Sequence, residues 1–466
     1  MTAQTILPAN SVVDSGFNVD NSCRFDGSSS YLQKTYVSSQ NKKFSISTWI
    51  KRSSIGDAGA IWSGYHNATN YITVAFKDDD TLRFQNVSAG VNMSFITNRV
   101  FRDVSAWYHI LAIVDTTDST AGDRQQIYIN GVRETSFGTS TTFAEDDAAE
   151  LGATDKDNIV GRHGADDDYF DGYMAEHVFI DGLALAPTSF GEFDEDSGIW
   201  KPLESVADLT FGNNGYYLDF KASGNLGNDA NGGTDLAESG LAAIDQTTDT
   251  CTNNFATINA LDNYFAVATL TEGNLKVTCN AGNTSFITAT FGLSKGKWYW
   301  EGKLTTVGGE EAIGITDKNS TATDNYAGQT ANSYSFKGNN GDIRNADENA
   351  NYGSAYGASV IGVYMDLDNN KLYFAINGSI QNSGTGVAIT AVASTTNGFY
   401  FPLVGDVDSD APVWEVNFGN PVSALTSAVS DAKGFGAFEY DPSAGTFDSA
   451  SKSFLAICTK NLATNG

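Results

Sequence analysis

Three acidic residues in the first third of the chain could carry out glycoside hydrolysis. They are Glu145, Asp147 and Glu150, in the sequence FAEDDAAEL. Side chains on a strand alternate between its two faces, so closely spaced acids can line one cleft. Retaining hydrolysis requires two carboxyl groups about 5–5.5 Å apart, which a strand can supply. The residues between these acids are acidic or small rather than bulky and apolar, and no tryptophan lies nearby, so a chance acidic loop is the favoured interpretation.

A second acidic group could bind calcium. The aspartates Asp166, Asp167, Asp168 and Asp171 crowd one segment, and hard oxygen ligands at such density attract Ca²⁺. The alternative is a solvated acidic turn. Such turns are expected here, because the chain has 56 Asp and Glu residues against 27 Lys and Arg, a net charge of −29. We therefore predict no firm cofactor, with calcium as the one candidate.

The remaining reactive side chains form no catalytic or zinc-binding pattern. The four histidines are scattered, and two of them, His109 and His177, stand in apolar runs where we expect burial. None of the four cysteines belongs to a C-x-x-C pair. Cys458, in the run FLAICTKN, is expected to pack as a small apolar side chain. We therefore predict that the protein is not an enzyme, with a polysaccharide-degrading enzyme at the acids of FAEDDAAEL as the alternative.

The charge balance excludes nucleic acid as a partner. A net charge of −29 repels a phosphate backbone and removes the electrostatic attraction on which nucleic-acid binding depends. No apolar run approaches the roughly 18 residues of a membrane span, so we expect no membrane insertion. The N-terminal segment MTAQTILPANSVVDSG lacks the basic and apolar regions of a secretory signal, so none is predicted.

The composition and the strand spacing indicate an all-β protein. Glycine occurs 47 times, tyrosine 20 times and phenylalanine 28 times; glycine suits turns, and aromatic residues suit strands. FSISTWIKRS alternates apolar and polar residues, WYHILAIVD is a continuous apolar strand, and QQIYINGVRETSF contains the Asn-Gly signal of a hairpin. Strands of similar length at regular spacing indicate a sandwich.

The first set of strands resembles a known family. FDGSSSYL, FSISTWIK, WYHILAIVD, IYINGVR and YFDGYMAEHVFIDGLALAP stand in the order found in the LamG-like branch of the concanavalin A-like lectin/glucanase sandwiches. The resemblance covers roughly residues 20–190. It implies the fold, which lectins, glycosidases and adhesion modules share, and leaves the function open.

A second set of motifs resembles the SPRY domain. GKWYWEGKL, AIGITD, IGVYMDLDNNKLYFAING, FPLVG and VNFG follow one another in the order of that family. The two resemblances imply two concanavalin A-like antiparallel β-sandwiches of the jelly-roll type, at 1–190 and 256–421. A structured connector at 191–255 joins them, and a C-terminal arm at 422–466 is expected to dock on a neighbouring module or subunit.

The resemblance to SPRY domains implies a ligand held by loops at one rim of the sandwich, where recognition evolves readily. The polar stretch 323–356 is the predicted binding loop, because aromatic residues stand there among Asn, Ser and Gly, as in antibody paratopes. The predicted ligand contacts are Tyr326, Tyr334, Phe336, Tyr352 and Tyr356. The alternative is that several of these rings fill the core beneath the loops.

The connector suggests a biological setting. NLGNDANGG followed by DTCTNNFATINAL resembles the segment between sandwich modules in structural proteins of marine bacteriophages. This implies a virion surface protein, a tail-fibre-like or receptor-binding component that recognises a glycan or protein on the host surface. A capsid decoration or head-fibre protein is the alternative. The expected partners are other virion proteins and the host-surface molecule, in a homo-oligomer that is trimeric by analogy and assembled in the host cytoplasm.

Overall fold

A computed structural model describes residues 16–36, 41–151, 157–165, 167–263, 267–284, 286–318, 326–408 and 410–466. Contacts within the chain divide it into two units, one ending at Thr252 and the next beginning at Asn253. Nearly all regular structure is β-strand, which confirms the predicted all-β class. No helix within the described ranges has the length and apolarity of a membrane span.

The first unit is a sandwich of two antiparallel sheets, with a separate two-stranded antiparallel sheet formed within residues 191–202. Its strands are β1 (Ser22–Asp26), β2 (Tyr31–Thr35), β3 (Lys43–Arg52), β4 (Gly59–Asn67), β5 (Asn70–Phe76), β6 (Thr81–Ser88), β7 (Val91–Val100), β8 (Trp107–Asp115), β9 (Gln125–Ile129), β10 (Val132–Arg133), β11 (Phe137–Thr141), β12 (Asp157–Val160), β13 (Asp171–Asp181), β14 (Gly191–Phe193), β15 (Trp200–Pro202), β16 (Tyr216–Leu218), β17 (Ala237–Ser239) and β18 (Gln246–Thr247). Short 3₁₀ helices cover Ala121–Asp123, Pro187–Ser189, Glu204–Asp208 and Ala243–Asp245.

The two sheets of the first unit enclose one core. One sheet has the order β10-β9-β8-β3-β13-β1-β18, with β16 also paired to β13, and the other has the order β11-β7-β6-β5-β4-β12-β2-β17. Trp62 of β4 and Phe179 of β13 stack between the sheets with their ring centroids 5.8 Å apart. Alternation along each strand sends one set of apolar side chains into this core.

The segment predicted as a structured connector, 191–255, adds strands to this sandwich. Within it, β16 pairs with β13, β17 with β2, and β18 with β1. The four aromatic side chains of this segment that the sequence analysis expects to be buried are buried: they are Trp200, Tyr216, Tyr217 and Phe220. Part of the segment also covers the outer face of the sheet that contains β13, where Val206 and Phe211 pack against Val178.

The second unit is also a two-sheet sandwich. Its elements are β19 (Thr269–Thr271), β20 (Lys276–Thr278), β21 (Phe286–Thr288), β22 (Lys297–Thr306), β23 (Glu311–Thr316), β24 (Ser333–Lys337), β25 (Asp342–Asn345), β26 (Glu348–Asn351), β27 (Val360–Asp366), β28 (Lys371–Ile376), β29 (Ser379–Ile380), β30 (Val387–Ala388), β31 (Phe401–Asp406), β32 (Val413–Asn417), β33 (Leu455–Ala456) and helix α1 (Thr459–Asn465), with 3₁₀ helices at Ala260–Asp262, Asn382–Gly384 and Val392–Ser394. One sheet has the order β19-β20-β32-β22-β27-β28-β29, with β30 on β28 and β33 on β22, and the other has the order β21-β31-β23-β24-β25-β26.

Alternation on β22, β27 and β28 gives their sheet two apolar faces. Trp298 and Trp300 face the core between the sheets, whereas Tyr299 faces the other way. Tyr299 is in register with Tyr364, and Tyr364 with Tyr373, so these three rings form a row across the outer face. We refer to Tyr299, Tyr364 and Tyr373 as the outer tyrosine row.

The C-terminal arm, residues 422–466, covers the outer tyrosine row. Phe438, Phe447 and Phe454 are fully buried against it, and β33 extends the sheet by pairing in parallel with β22. The buried carboxylate of Glu301 accepts the backbone N–H groups of Glu439 and Tyr440, both at 2.9 Å. The arm therefore docks on the second sandwich of its own chain, and an apolar outer face that would otherwise meet water becomes a second core.

Candidate functional site

The three acids proposed for hydrolysis lie in a turn between β11 and β12. Arg124 pairs with Glu145 at 3.0 Å, the Ser88 hydroxyl donates to Glu150 at 2.5 Å, and Asp147 accepts a backbone N–H at 3.2 Å. Because the segment is not a strand, the alternation that would align the carboxylates is missing. Asp147 bonds within its own loop, whereas Glu145 and Glu150 bond to residues outside it, Arg124 and Ser88.

The predicted calcium ligands are not gathered into one site in the described residues. Asp166 lies outside those residues. Asp167 Oδ1 is 2.9 Å from His163 Nδ1, Asp168 is 3.8 Å from an arginine nitrogen, and Asp171 begins β13. Within the described ranges, no three His, Cys, Asp or Glu side chains form a group that could hold a metal ion.

Calcium removal is expected to leave the melting temperature of the chain unchanged. Asp167 and Asp168 already have cationic or hydrogen-bonding partners, so their positions do not depend on a metal ion. Scanning calorimetry in excess chelator, compared with calcium chloride, checks this. If chelator lowered the melting temperature and added calcium raised it again, the predicted calcium site would be supported.

Four of the five predicted aromatic contacts are core residues of the second sandwich. Tyr334, Phe336, Tyr352 and Tyr356 are between 0% and 6% exposed. The stretch predicted as a loop contains β24, β25 and β26, and alternation on β24 turns Tyr334 and Phe336 inward. The ring of Phe336 stacks on that of Phe374 at 4.9 Å. These four rings fill the core beneath the loops, which corrects their prediction as ligand contacts.

Tyr326 is the member of that set that remains at the surface. Its hydroxyl donates to Asp347 at 2.7 Å, and the Arg344 guanidinium lies 4.7 Å from its ring centroid. Asp347 stands in the tight turn between β25 and β26, with a φ of 66°. Tyr326 is thus held at the rim of the sandwich and stays a predicted ligand contact.

The histidine and cysteine predictions agree with the structure. His109 and His177 are fully buried, and burial lowers the pKa of each to about 3. All four cysteines are free thiols. Cys458 is buried, and burial raises its thiol pKa to about 12, as expected of a small apolar side chain.

A polar cleft in the first unit was not predicted. It lies at the edge formed by β2 and β17, has a volume of about 690 Å³, and is completed by the loops 212–215 and 231–235. We refer to it as the edge cleft. Its lining residues are mainly amides, hydroxyls, charged groups and glycines, and include Tyr31, Lys34, Asn213, Asn231, Thr234 and Asp235.

Two polar groups, Lys34 on the lining of the edge cleft and Asp229, which is not among its lining residues, have atoms without hydrogen-bond partners in the described part of the chain. Lys34 Nζ forms no hydrogen bond or ion pair there and lies 5.7 Å from the ring centroid of Tyr216. Burial lowers the pKa of Lys34, although Asp229 and Asp235 oppose this effect. The carboxylate of Asp229 is 3% exposed: Oδ1 accepts the backbone N–H groups of Tyr217 and Asn231, whereas Oδ2 accepts none.

The two acids that line the edge cleft, Asp235 and Glu238, have structural roles. Asp235 accepts the backbone N–H of Asp229 at 3.0 Å and the side-chain amide of Asn225 at 2.8 Å. Glu238 accepts the backbone N–H of Gly227 at 3.1 Å. These bonds fix the loops around the cleft. Sequence reasoning missed the cleft because its two halves are distant along the chain. The one local signal is the glycine-containing run DANGGT at 229–234.

Comparison with known proteins supports the two sandwich assignments. Residues 26–186 match the laminin G model described as the concanavalin A-like lectin/glucanases superfamily, and residues 297–409 match the SPRY domain model. No curated protein sequence matches the chain.

Solved structures show similarity at low identity. A heptameric SAP-like pentraxin from Limulus polyphemus is 17% identical over 36% of this chain and 80% of its own, with a TM-score of 0.28. The SPRY domain of human HERC1 is 12% identical over 32% of this chain and 91% of its own, with a TM-score of 0.27. The family matches are what identify the modules: this chain carries a concanavalin A-like domain of the laminin G type followed by a SPRY domain.

Proposed function

We propose that this chain is a non-catalytic recognition protein of a phage virion surface, where it binds a glycan or protein of the host. The observation that carries the proposal is the order of its modules, a lectin-type sandwich followed by a SPRY domain. Both families present loops on a rigid sheet, an arrangement suited to recognition. The resemblance of the connector to phage structural proteins supports the virion setting, with other virion proteins as partners in a homo-oligomer, trimeric by analogy.

The non-catalytic part of the proposal rests on the loop acids. Glu145, Asp147 and Glu150 each hold a neighbouring group, so none is poised as a nucleophile or proton donor. We expect no release of reducing sugar from a polysaccharide panel by either the wild-type chain or Glu150→Gln. Turnover by the wild type that Glu150→Gln abolishes would contradict this and favour the enzyme.

Immunogold electron microscopy of purified phage particles, with antibody against this chain, tests the virion setting. We expect label at the tail or its tip, as for a receptor-binding component. Label over the head would instead favour a capsid decoration or head-fibre protein. Particles without label, beside a control antibody that labels the capsid, would overturn the virion proposal.

A further inference from the structure

We propose that the edge strand β11 of the first unit pairs in antiparallel fashion with β11 of a second copy of this chain. Such a pair relates the two copies by a two-fold axis and continues one sheet of the sandwich from one copy into the other. The inference rests on the proposed function only for the expectation of a homo-oligomer. A two-fold contact joins two single chains or two trimers, so the assembly holds an even number of copies.

β11 (Phe137–Thr141) has one open edge. It is the terminal strand of its sheet, and within the described chain it pairs with β7 alone. In an antiparallel strand, alternate residues direct their backbone N–H and C=O groups away from the neighbouring strand. Residues 138–141 are exposed, and their backbone groups form no bond outside the pairing with β7 in the described residues. This row of open donors and acceptors is a template for a further strand.

β11 lacks the charged residues and prolines that usually keep an open edge from pairing. Residues 135–144 include no charged residue and no proline. Three other edge strands do carry charge, with Arg133 in β10, Glu238 in β17 and Glu348 in β26. A second strand can therefore approach β11 without burying an unpaired charge.

The charge of the chain favours this edge as the place where two copies meet. Two molecules of net charge −29 repel each other, so they approach at lowest cost where neither presents a charge. The acid that precedes the uncharged segment, Glu134, is already paired with Arg99, whose Nε lies 2.8 Å from its carboxylate. Two exposed apolar side chains, Val91 and Val100, lie at the two ends of β7, the strand beside β11. The edge is thus uncharged and flanked by apolar surface.

The sequence around β11 reads nearly the same in both directions, which suits pairing with its own copy. The run FGTSTTF is centred on Ser140 and bounded by Phe137 and Phe143. With Ser140 on the two-fold axis, Thr139 of one copy lies opposite Thr141 of the other, and cross-strand threonine pairs stabilise antiparallel sheets. These three central residues are the regular part of the strand, because its register with β7 shifts only between Phe137 and Thr139. The strand is therefore complementary to itself.

Analytical ultracentrifugation of the full chain over a range of concentrations tests the proposal. We expect a species whose mass is an even multiple of the chain mass of 49.6 kDa and which dissociates on dilution. Ser140→Asp places two carboxylates opposite each other at the axis, so we expect the dissociation constant to rise at least about tenfold. Asn349→Asp is the matched control, because it adds the same charge to the exposed edge strand β26 of the second unit, and it should leave the association unchanged.

Hydrogen exchange of the wild-type chain gives a second readout that does not depend on a variant. The amides of residues 138–141 should exchange more slowly at high than at low protein concentration. A monomer, an odd number of copies or unchanged exchange would overturn the proposal. Association that Ser140→Asp leaves intact, while its melting temperature matches the wild type, would also overturn it. Labelled phage particles with a monomeric chain leave the virion proposal standing, and paired chains with unlabelled particles leave the β11 contact standing.

Discussion

Phe447→Ala is expected to lower the free energy of unfolding of the second unit by about 3–5 kcal/mol, the usual cost of removing a buried phenylalanine. Phe447 is fully buried in the C-terminal arm. Its ring centroid lies 4.9 Å from that of Tyr364 and 5.1 Å from that of Tyr373, both in the outer tyrosine row. Neighbouring Phe454, at 5.0 Å, packs on the same rings, so little can move in to fill the cavity.

Scanning calorimetry of the whole chain measures this effect. For a unit of this size the expected loss lowers the melting temperature by roughly 10 °C. Phe193→Ala is the matched control, because Phe193 is 49% exposed on the first unit, and it should leave the transition of the second unit unchanged. A change of only a degree or two for Phe447→Ala would contradict the packing of the arm on the sheet.

Glu176→Gln is expected to stabilise the first unit at alkaline pH and to have little effect in acid. Glu176 lies in β13 beside an irregularity in its pairing with β3, and burial raises the pKa of its carboxyl to about 7. The Tyr217 hydroxyl donates to this carboxyl at 2.5 Å and favours the charged form, but the loss of solvation outweighs that bond. Above neutral pH, Glu176 is ionised in the folded protein, and its charge is therefore poorly solvated.

The direction of the pH effect follows from proton binding. Between the ordinary pKa of a glutamic acid, 4.5, and about 7, the folded state holds the Glu176 proton more tightly than the unfolded state. The free energy of unfolding therefore falls as pH rises through this window. A shift of this size corresponds to roughly 3 kcal/mol at pH 8, and Gln removes the dependence while still accepting from Tyr217.

Denaturant unfolding at pH 5 and pH 8 checks this expectation. The difference between Glu176→Gln and wild type should be small at pH 5 and large at pH 8. Glu204→Gln serves as control, since Glu204 is exposed, and it should follow the wild type at both pH values. Parallel profiles for Glu176→Gln and wild type would show that Glu176 is charged in the folded protein near its ordinary pKa.

Local patterns predicted much of the fold because strands and tight turns depend on neighbouring residues. WYHILAIVD corresponds to β8, and Asn130 and Gly131 adopt φ values of 49° and 75°, the left-handed pair that joins β9 to β10. In the second unit, the side chains of KWYWEG alternate between the two faces of β22. The same alternation sends Tyr299 outward, although the sequence alone does not indicate which segment covers it.

The predictions that required distant contacts were less successful. The stretch around Tyr334 is rich in Asn, Ser and Gly, which indicates loops, yet pairing of β24 with β23 draws it into a sheet. The edge cleft depends on the pairing of β17 with β2, more than two hundred residues apart. Such pairings depend on which apolar strand faces still need a partner in the folded protein. A local sequence pattern does not contain that information.

The arm on the outer tyrosine row has a consequence for how this protein is made. Translation delivers every strand of the first unit once Thr252 has left the ribosome, and domains generally fold as units from the N-terminus. The second unit is completed much later, because β22, near residue 300, pairs with β33 only after residue 456 has been synthesised. Until then the outer tyrosine row of the nascent chain is not covered by the C-terminal arm. The interval between these two events is the period in which chaperones would be most needed.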